Sequence, residues 1–251
     1  AKDSKEASKL SSSNSAFLAG GMTSIPSLKL GLATYKDVID IKHIKKLSGI
    51  KVSNKTITIG ATTKHAEVAS SKEVQKAIPS LAKLAGGIGD AQVRNRGTVG
   101  GSIANNDPSA CYPSACMALN AIIHTNERKI EASKFFKGMF ETALKKGELI
   151  ESVEFQIPEK SNYQKHPNPA SRYAIVGVYL AKHKKEVNVA ITGAKSSVYI
   201  DKDLSKALAS NFSVSAIDVM KLKSSEMNSD IHASGEYRAS LVLTYTKKAV
   251  E

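Results

Sequence analysis

Two pairs of adjacent glycines, each followed by hydroxyl residues, constrain this chain most. The first lies in Leu18-Ala19-Gly20-Gly21-Met22-Thr23-Ser24 and the second in Arg96-Gly97-Thr98-Val99-Gly100-Gly101-Ser102. Missing Cβ atoms let backbone approach backbone, or a ligand, more closely than any other residue allows. Consecutive N–H groups in such a loop form a concave nest that suits an anion such as a pyrophosphate. Thr and Ser hydroxyls add uncharged donors. Either loop alone reads as an ordinary turn. Two of them, each following an apolar segment, point to a nucleotide cofactor.

The better-known nucleotide signatures are missing. Gly87-Ile88-Gly89-Asp90-Ala91-Gln92 begins like a dinucleotide fingerprint, but it lacks the third glycine and follows a helical pattern instead of a strand. The sequence has no phosphate-binding GxxxxGK[ST] loop, no HExxH and no GxSxG.

The patterning around the loops mixes helices and strands. A short helix is expected over residues 4–12, with Ala7 and Leu10 facing inward. Ala16–Ala19 and Val38–Ile41 read as strands, and Pro26 can open a helix or turn. Ile50–Val52 and Thr56–Ile59 alternate and suggest a hairpin across Ser53-Asn54. Helical spacing recurs over Lys64–Ala69 and Val74–Leu84, where Ala77, Ile78, Leu81 and Leu84 share a face. Residues 88–106, rich in Gly, Asn, Arg and Thr, are poor core material and read as loop or site. Ala115–Ile123 is a buried helix end or strand. Phe135–Lys145 reads as helix and Leu149–Ile157 as strand. Residues 159–172 are read as a connection between domains. Two strands, Tyr173–Leu180 and Val187–Ala194, follow across a lysine-rich turn, then helices near 203–210, 214–221 and 236–249.

Composition narrows the function classes. The 251 residues carry a net charge of +13, which raises nucleic-acid binding as an alternative. However, the lysines are scattered, with one short cluster at Lys182, Lys184 and Lys185, and aromatics are only 6%, too few for a base-stacking platform. No run approaches the roughly 18 apolar residues of a membrane span. The polar first residues lack the apolar stretch of a secretory signal, so a cytoplasmic location is expected. The two cysteines, Cys111 and Cys116, are too few for an iron–sulfur cluster, which takes about four thiolates. Their spacing matches neither a redox pair nor a zinc site, and no metal site is expected.

The string Gly-Gly-Ile-Gly-Asp-Ala-Gln-Val-Arg-Asn-Arg-Gly-Thr-Val-Gly-Gly-Ser-Ile-Ala-Asn-Asn-Asp-Pro-Ser-Ala, starting at Gly86, closely resembles the flavin-binding segment of the FAD subunits of molybdenum hydroxylases. These include the medium subunit of aerobic carbon monoxide dehydrogenase and the FAD domain of xanthine dehydrogenase. Phe17–Leu30 resembles the family's first flavin loop. The likeness continues through Lys146–Pro158, Tyr163–Val178 and Asn228–Val242, so it spans nearly the whole chain.

The resemblance implies an α+β fold of the FAD-binding PCMH type, similar to vanillyl-alcohol oxidase. Two α/β subdomains, residues 1–52 and 53–158, would enclose FAD, and a small α+β domain would occupy 170–251. It implies that Leu18, Ala19, Gly20, Gly21, Met22, Thr23, Ser24 and Ile25 hold the FAD diphosphate. A second set would be Ile88, Gly89, Val93, Gly97, Thr98, Gly100, Gly101, Ser102, Ala104 and Asn105. Ile150 would lie against the flavin, Lys165 beside its ring system and Tyr173 over it. Alternatively, Lys165 is a merely exposed lysine and Tyr173 a core residue.

Partners also follow from the resemblance: a small subunit with two [2Fe–2S] clusters, a large molybdopterin subunit that chooses the substrate, and an external electron acceptor. The assembly would be a dimer of three-chain units, with peripheral membrane association an option. No residue here need act as acid or base on the primary substrate, so His65 and His124 are read as structural or exposed. The rival readings are a stand-alone FAD oxidoreductase and a flavin-free scaffold. Two positions depart from the family pattern. Cys111 stands where the family carries an Asp that accepts hydrogen bonds from the cofactor; a thiol accepts weakly. His166 stands where relatives carry an apolar aromatic. The resemblance further implies a short strand and helix start preceding Ala1.

Overall fold

The computed structural model describes residues 1–184 and 186–251. Lys185, in the lysine-rich turn, lies outside the described residues. The framework is two antiparallel sheets. One has five strands, in the order Ile50–Val52, Thr56–Gly60, Ile150–Gln156, Ile122–Thr125 and Lys129–Glu131. The other has four, in chain order: Lys160–Pro167, Ala174–Lys182, Val187–Thr192 and Tyr199–Ile200. A small parallel pair, Ser15–Leu18 with Asp37–Asp40, carries the first glycine loop at its end.

Alternation explains the five-stranded sheet. Ile57 and Ile59 of one strand and Val153 and Phe155 of its neighbour point inward and are fully buried, the period-2 signature of a half-covered strand. Helices His65–Ser70, Pro79–Gly86 and Tyr112–Ala118 add Val68, Leu81, Leu84 and Ala115 to that core. Ala174–Lys182 differs, being buried along nearly its whole length. Val176, Val178 and Leu180 pack on the C-terminal helices Lys202–Ser210 and Gly235–Val250, whereas Tyr179 and Ala181 join the first core. A strand covered on both faces reads as a continuous apolar run. A third cluster, around Ala7, Ile39, Ile41, Ile44 and Leu47, supports the N-terminal parallel pair.

Several segments depart from their sequence patterns. The helix expected over Val74–Leu84 breaks at Ile78, which takes φ −141° because Pro79 excludes the helical region for the residue before it. Residues 135–145 form a hairpin, Phe136–Gly138 with Glu141–Thr142, instead of a helix. Buried Asn106 overrides the helical spacing there: its Nδ2 donates to the carbonyls of Gly138 and Glu141, both at 2.8 Å. Residues 160–167 are a strand, not a connection. It lies at the sheet edge, which explains its polarity and its tolerance of Pro167. The stretch 88–106 contains two short helices, Ala91–Arg94 and Val99–Asn105. The helix near 214–221 reduces to a 3-10 turn, Val214–Ile217. Leu10 ends its helix 55% exposed, while Ala7 is buried. Among the described residues no helix is long and apolar enough to cross a membrane.

Candidate functional site

The parallel pair, the five-stranded sheet and the loop joining the first two strands of the four-stranded sheet meet around a cavity of about 480 Å³. The two glycine loops form one side of it, in direct contact with each other. A Cβ on Gly20 would collide with the Arg96 carbonyl and lie 2.9 Å from the Gly97 Cα. In the second loop, a Cβ on Gly97 would come within 2.6 Å of His65 Nε2, and one on Gly100 within 2.5 Å of the Ala61 side chain. Glycine is required at these positions by close approach, since none of the three has a positive φ.

The loops are not chemically equivalent. The N–H groups of Gly20, Gly21, Met22, Thr23 and Ser24 find no acceptor among the described residues. In the second loop the amides are mostly used. Gly97 donates to the Val93 carbonyl, Val99 to Thr63, Gly100 to Ala61 and Ser102 to Thr98. The Gly101 amide donates to the Thr98 hydroxyl, which caps the helix Val99–Asn105. The first loop therefore keeps its donors free, and the second is the surface against which it packs.

Of the residues expected at the site, Ala19 to Ser24, Ile88, Gly89, Val93, Gly97, Thr98, Gly100, Gly101, Ser102, Ala104, Asn105, Cys111, Ile150 and Tyr173 share this one cavity. Leu18, Ile25 and Lys165 do not line it. Leu18 and Ile25 lie beneath Gly21, whose φ of +73° would put a Cβ 2.5 Å from Ile25 Cδ1 and 3.2 Å from Leu18 Cδ1. Tyr173 is 44% exposed and so is not a core residue. Burial pushes its phenol up, and the Asp107 carboxylate adds to that push, so Tyr173 stays neutral at physiological pH.

The cavity also takes in residues that the sequence did not nominate: Thr62, His65, Asp107, Glu148 and Arg172. Thr62 follows the strand Thr56–Gly60 in a Gly-Ala-Thr-Thr run, and His65 lies two residues beyond that run. The run's small and hydroxyl residues repeat the chemistry of the glycine loops, and that signal was available. The Thr62 hydroxyl and His65 Nδ1 are buried without partners among the described residues. Burial, and then the nearby Arg94 guanidinium, hold the His65 imidazole down at about 4.

Glu148 also lines the cavity. Its buried carboxylate accepts from Arg128 Nε at 2.9 Å and Nη2 at 3.0 Å, from the Thr125 hydroxyl at 2.8 Å and from the Lys145 N–H at 2.9 Å. Burial alone would raise this carboxyl, but the four bonds and the Arg128 charge bring it below its ordinary value. Glu148→Ala is expected to destabilise the chain by about 2 kcal/mol, since it strands the Thr125 hydroxyl and a charged partner. Urea unfolding at neutral pH measures this. Because the folded carboxyl sits low, its stabilisation is present above the unfolded value near 4.5 and fades as pH falls further. The variant's deficit should therefore shrink in acid.

The amino-acid sequence of residues 1–159 matches the family described as the FAD binding domain in molybdopterin dehydrogenase. The chain belongs to this family. Similar chains extend the likeness beyond the matched domain. The glyceraldehyde dehydrogenase medium chain of Sulfolobus acidocaldarius is 33% identical, covering 92% of this chain and 88% of that one. The carbon monoxide dehydrogenase medium chain of Hydrogenophaga pseudoflava is 29% identical over 95% of this chain and 88% of its own. A solved carbon monoxide dehydrogenase from the same organism superposes with a TM-score of 0.86 at 27% identity, covering 100% of this chain and 94% of the other. The family match ends at residue 159, and the superposition carries the likeness in fold on through the C-terminal sheet and helices. Among the described residues no group of three or more His, Cys, Asp or Glu side chains is placed to hold a metal ion.

Proposed function

We propose that this chain is the FAD-carrying electron-transfer subunit of a molybdenum hydroxylase. The observation that carries the reading is the first loop: five consecutive unsatisfied amides opening on a cavity whose size suits an organic cofactor. A diphosphate supplies the anionic oxygens that such a nest lacks. Unpartnered Thr62 and His65, buried on the same cavity, provide further polar atoms for a nucleotide. In this reading Gly20 to Ser24 hold the diphosphate, the second loop backs them, and Ile150 and Tyr173 flank the flavin. FAD supplies the redox chemistry; the chain supplies position and electrostatics.

The relatives' names support partner subunits, since each is called a medium chain of a dehydrogenase. Two cysteines, both free and buried, are too few to ligate a cluster here. Electrons thus arrive from [2Fe–2S] clusters on a small subunit, fed by a molybdopterin-bearing large subunit, and leave to an external acceptor. The reading extends to a dimer of three-chain units in the cytoplasm, able to lie at a membrane surface. It extends also to the division at 1–52, 53–158 and 170–251, each of which centres on one apolar cluster, with Leu149, Tyr179, Ala181 and Ala190 packing across the boundaries.

An absorbance spectrum of the purified chain, with released flavin assayed after denaturation, tests the core claim. About one FAD per chain is the expected result. A chain that stays colourless after incubation with FAD, alone and co-expressed with its two partners, would end it. Cys111 lines the cavity 5% exposed, and Cys111→Asp replaces a weak acceptor by a strong one. It should tighten FAD binding by roughly tenfold, the worth of one added hydrogen bond to a charged group, read by fluorescence titration.

A further inference from the structure

The Lys165 ammonium does not line the cavity, and its donors are engaged by backbone carbonyls. It donates to the Gly87 carbonyl at 2.7 Å and to the Arg172 carbonyl at 2.9 Å, and lies 3.7 Å from Cys111 Sγ. Arg172 completes the circuit: its Nη1 donates to the Gly89 carbonyl at 3.0 Å. Gly87 caps the C-terminus of the helix Pro79–Gly86, and Gly89 lies two residues on, before the N-cap Asp90 of the next helix, where its carbonyl also accepts from Arg94 Nη1 at 2.8 Å. Carbonyls at a helix C-terminus lack intrahelical donors and carry partial negative charge, so cations are their natural partners. Neither Lys165 nor Arg172 has a carboxylate partner among the described residues.

The segment so tied is a compact loop. The Asn168 N–H donates to the Tyr173 carbonyl, and the Arg172 N–H to the Asn168 carbonyl. The Asn168 side chain accepts from the Ala170 and Ser171 amides. Arg172 sits at φ +63°, a conformation a bulky residue keeps only where its surroundings impose it. The loop presents Ser171, Arg172 and Tyr173 to the cavity.

We propose that Lys165 and Arg172 are positioning residues that latch the 168–173 loop onto the turn after helix Pro79–Gly86, and so hold Tyr173 on the cavity wall. The latch stands on its own geometry; its consequence, restricted access to a bound flavin, rests on the function proposed above.

Hydrogen–deuterium exchange of the 168–173 amides tests it in the full chain, with and without FAD. Lys165→Met and Arg172→Gln should each speed exchange there roughly tenfold, as expected when a bond from a charged donor no longer opposes local opening. The thermal midpoint should hold, and Lys165→Arg should restore part of the protection. In FAD-loaded protein, iodide should quench flavin fluorescence more readily in both variants, at an unchanged flavin potential in Lys165→Met. Unchanged exchange in both variants overturns the latch. If the flavin potential also shifts in Lys165→Met, that lysine acts as a charge on the cofactor. Should one variant fail to fold, the other decides. If the chain takes up no FAD, the function proposed above fails, while exchange in the FAD-free protein still judges the latch.

Discussion

Gly20→Ala is expected to weaken FAD binding by at least about a hundredfold while leaving the chain folded. The added Cβ meets the Arg96 carbonyl and the Gly97 Cα, which is backbone on both counts and cannot rotate aside. The first loop must then lift off the second. Its five amides without acceptors then leave the positions they hold on the cavity. A hydrogen bond to a charged group contributes about 1.5–3 kcal/mol, so misaligning two of them costs about 3–6 kcal/mol. Each 1.4 kcal/mol or so is a factor of ten in affinity. Gly86→Ala is the matched control. A Cβ there meets nothing nearer than the Ala69 side chain at 3.7 Å, and alanine at a helical position is neutral or stabilising by up to about 1 kcal/mol. Fluorescence titration of the FAD-free variants separates the two. Binding by Gly20→Ala at the wild-type level would mean that the first loop does not carry the diphosphate.

The difference between those two glycines shows what a sequence conveys and where it stops. Gly-Gly followed by hydroxyls announces a loop, because few other uses for such a run exist. It does not say that Gly20 is needed for contact with a segment far along the chain, while Gly86 is not. Alternation made Thr56–Gly60 and Ile150–Gln156 legible, since one face of each is core and the pattern is local. The edge strand Lys160–Pro167 was illegible because an edge needs no apolar alternation to be held. That misreading also hid Arg172, whose place on the cavity depends on how the loop after this strand folds back. The hairpin at 136–142 was hidden for a related reason: its determinant, Asn106, sits in another part of the chain. Glu148 and Arg128 look like ordinary surface charges in sequence, and only the fold puts the carboxylate out of water.

His65 shows how strongly such non-local placement acts, and it sets the chain's behaviour in acid. The imidazole is 4% exposed, with the Tyr112 ring 5.4 Å away between centroids and Arg94 close enough to repel a second positive charge. It also stands in the first turn of the helix His65–Ser70, the end of a helix that disfavours cations. All three influences favour the neutral form, and the folded value falls to about 4 from an unfolded 6.5. Between those values the unfolded chain binds a proton that the folded chain refuses, so acid favours unfolding. The stabilisation is complete above pH 6.5, declines as pH falls, and is gone at about pH 4. A shift of this size corresponds to about 3 kcal/mol, a large share of the stability of a single domain. His65→Gln keeps a polar side chain but cannot titrate. Urea unfolding of the FAD-free chain at pH 7 and pH 4.5 should therefore show a steep loss for the wild type and a much smaller one for the variant. Equal losses would mean that His65 accepts its proton in the folded state, with the cavity wall opening enough to hydrate it.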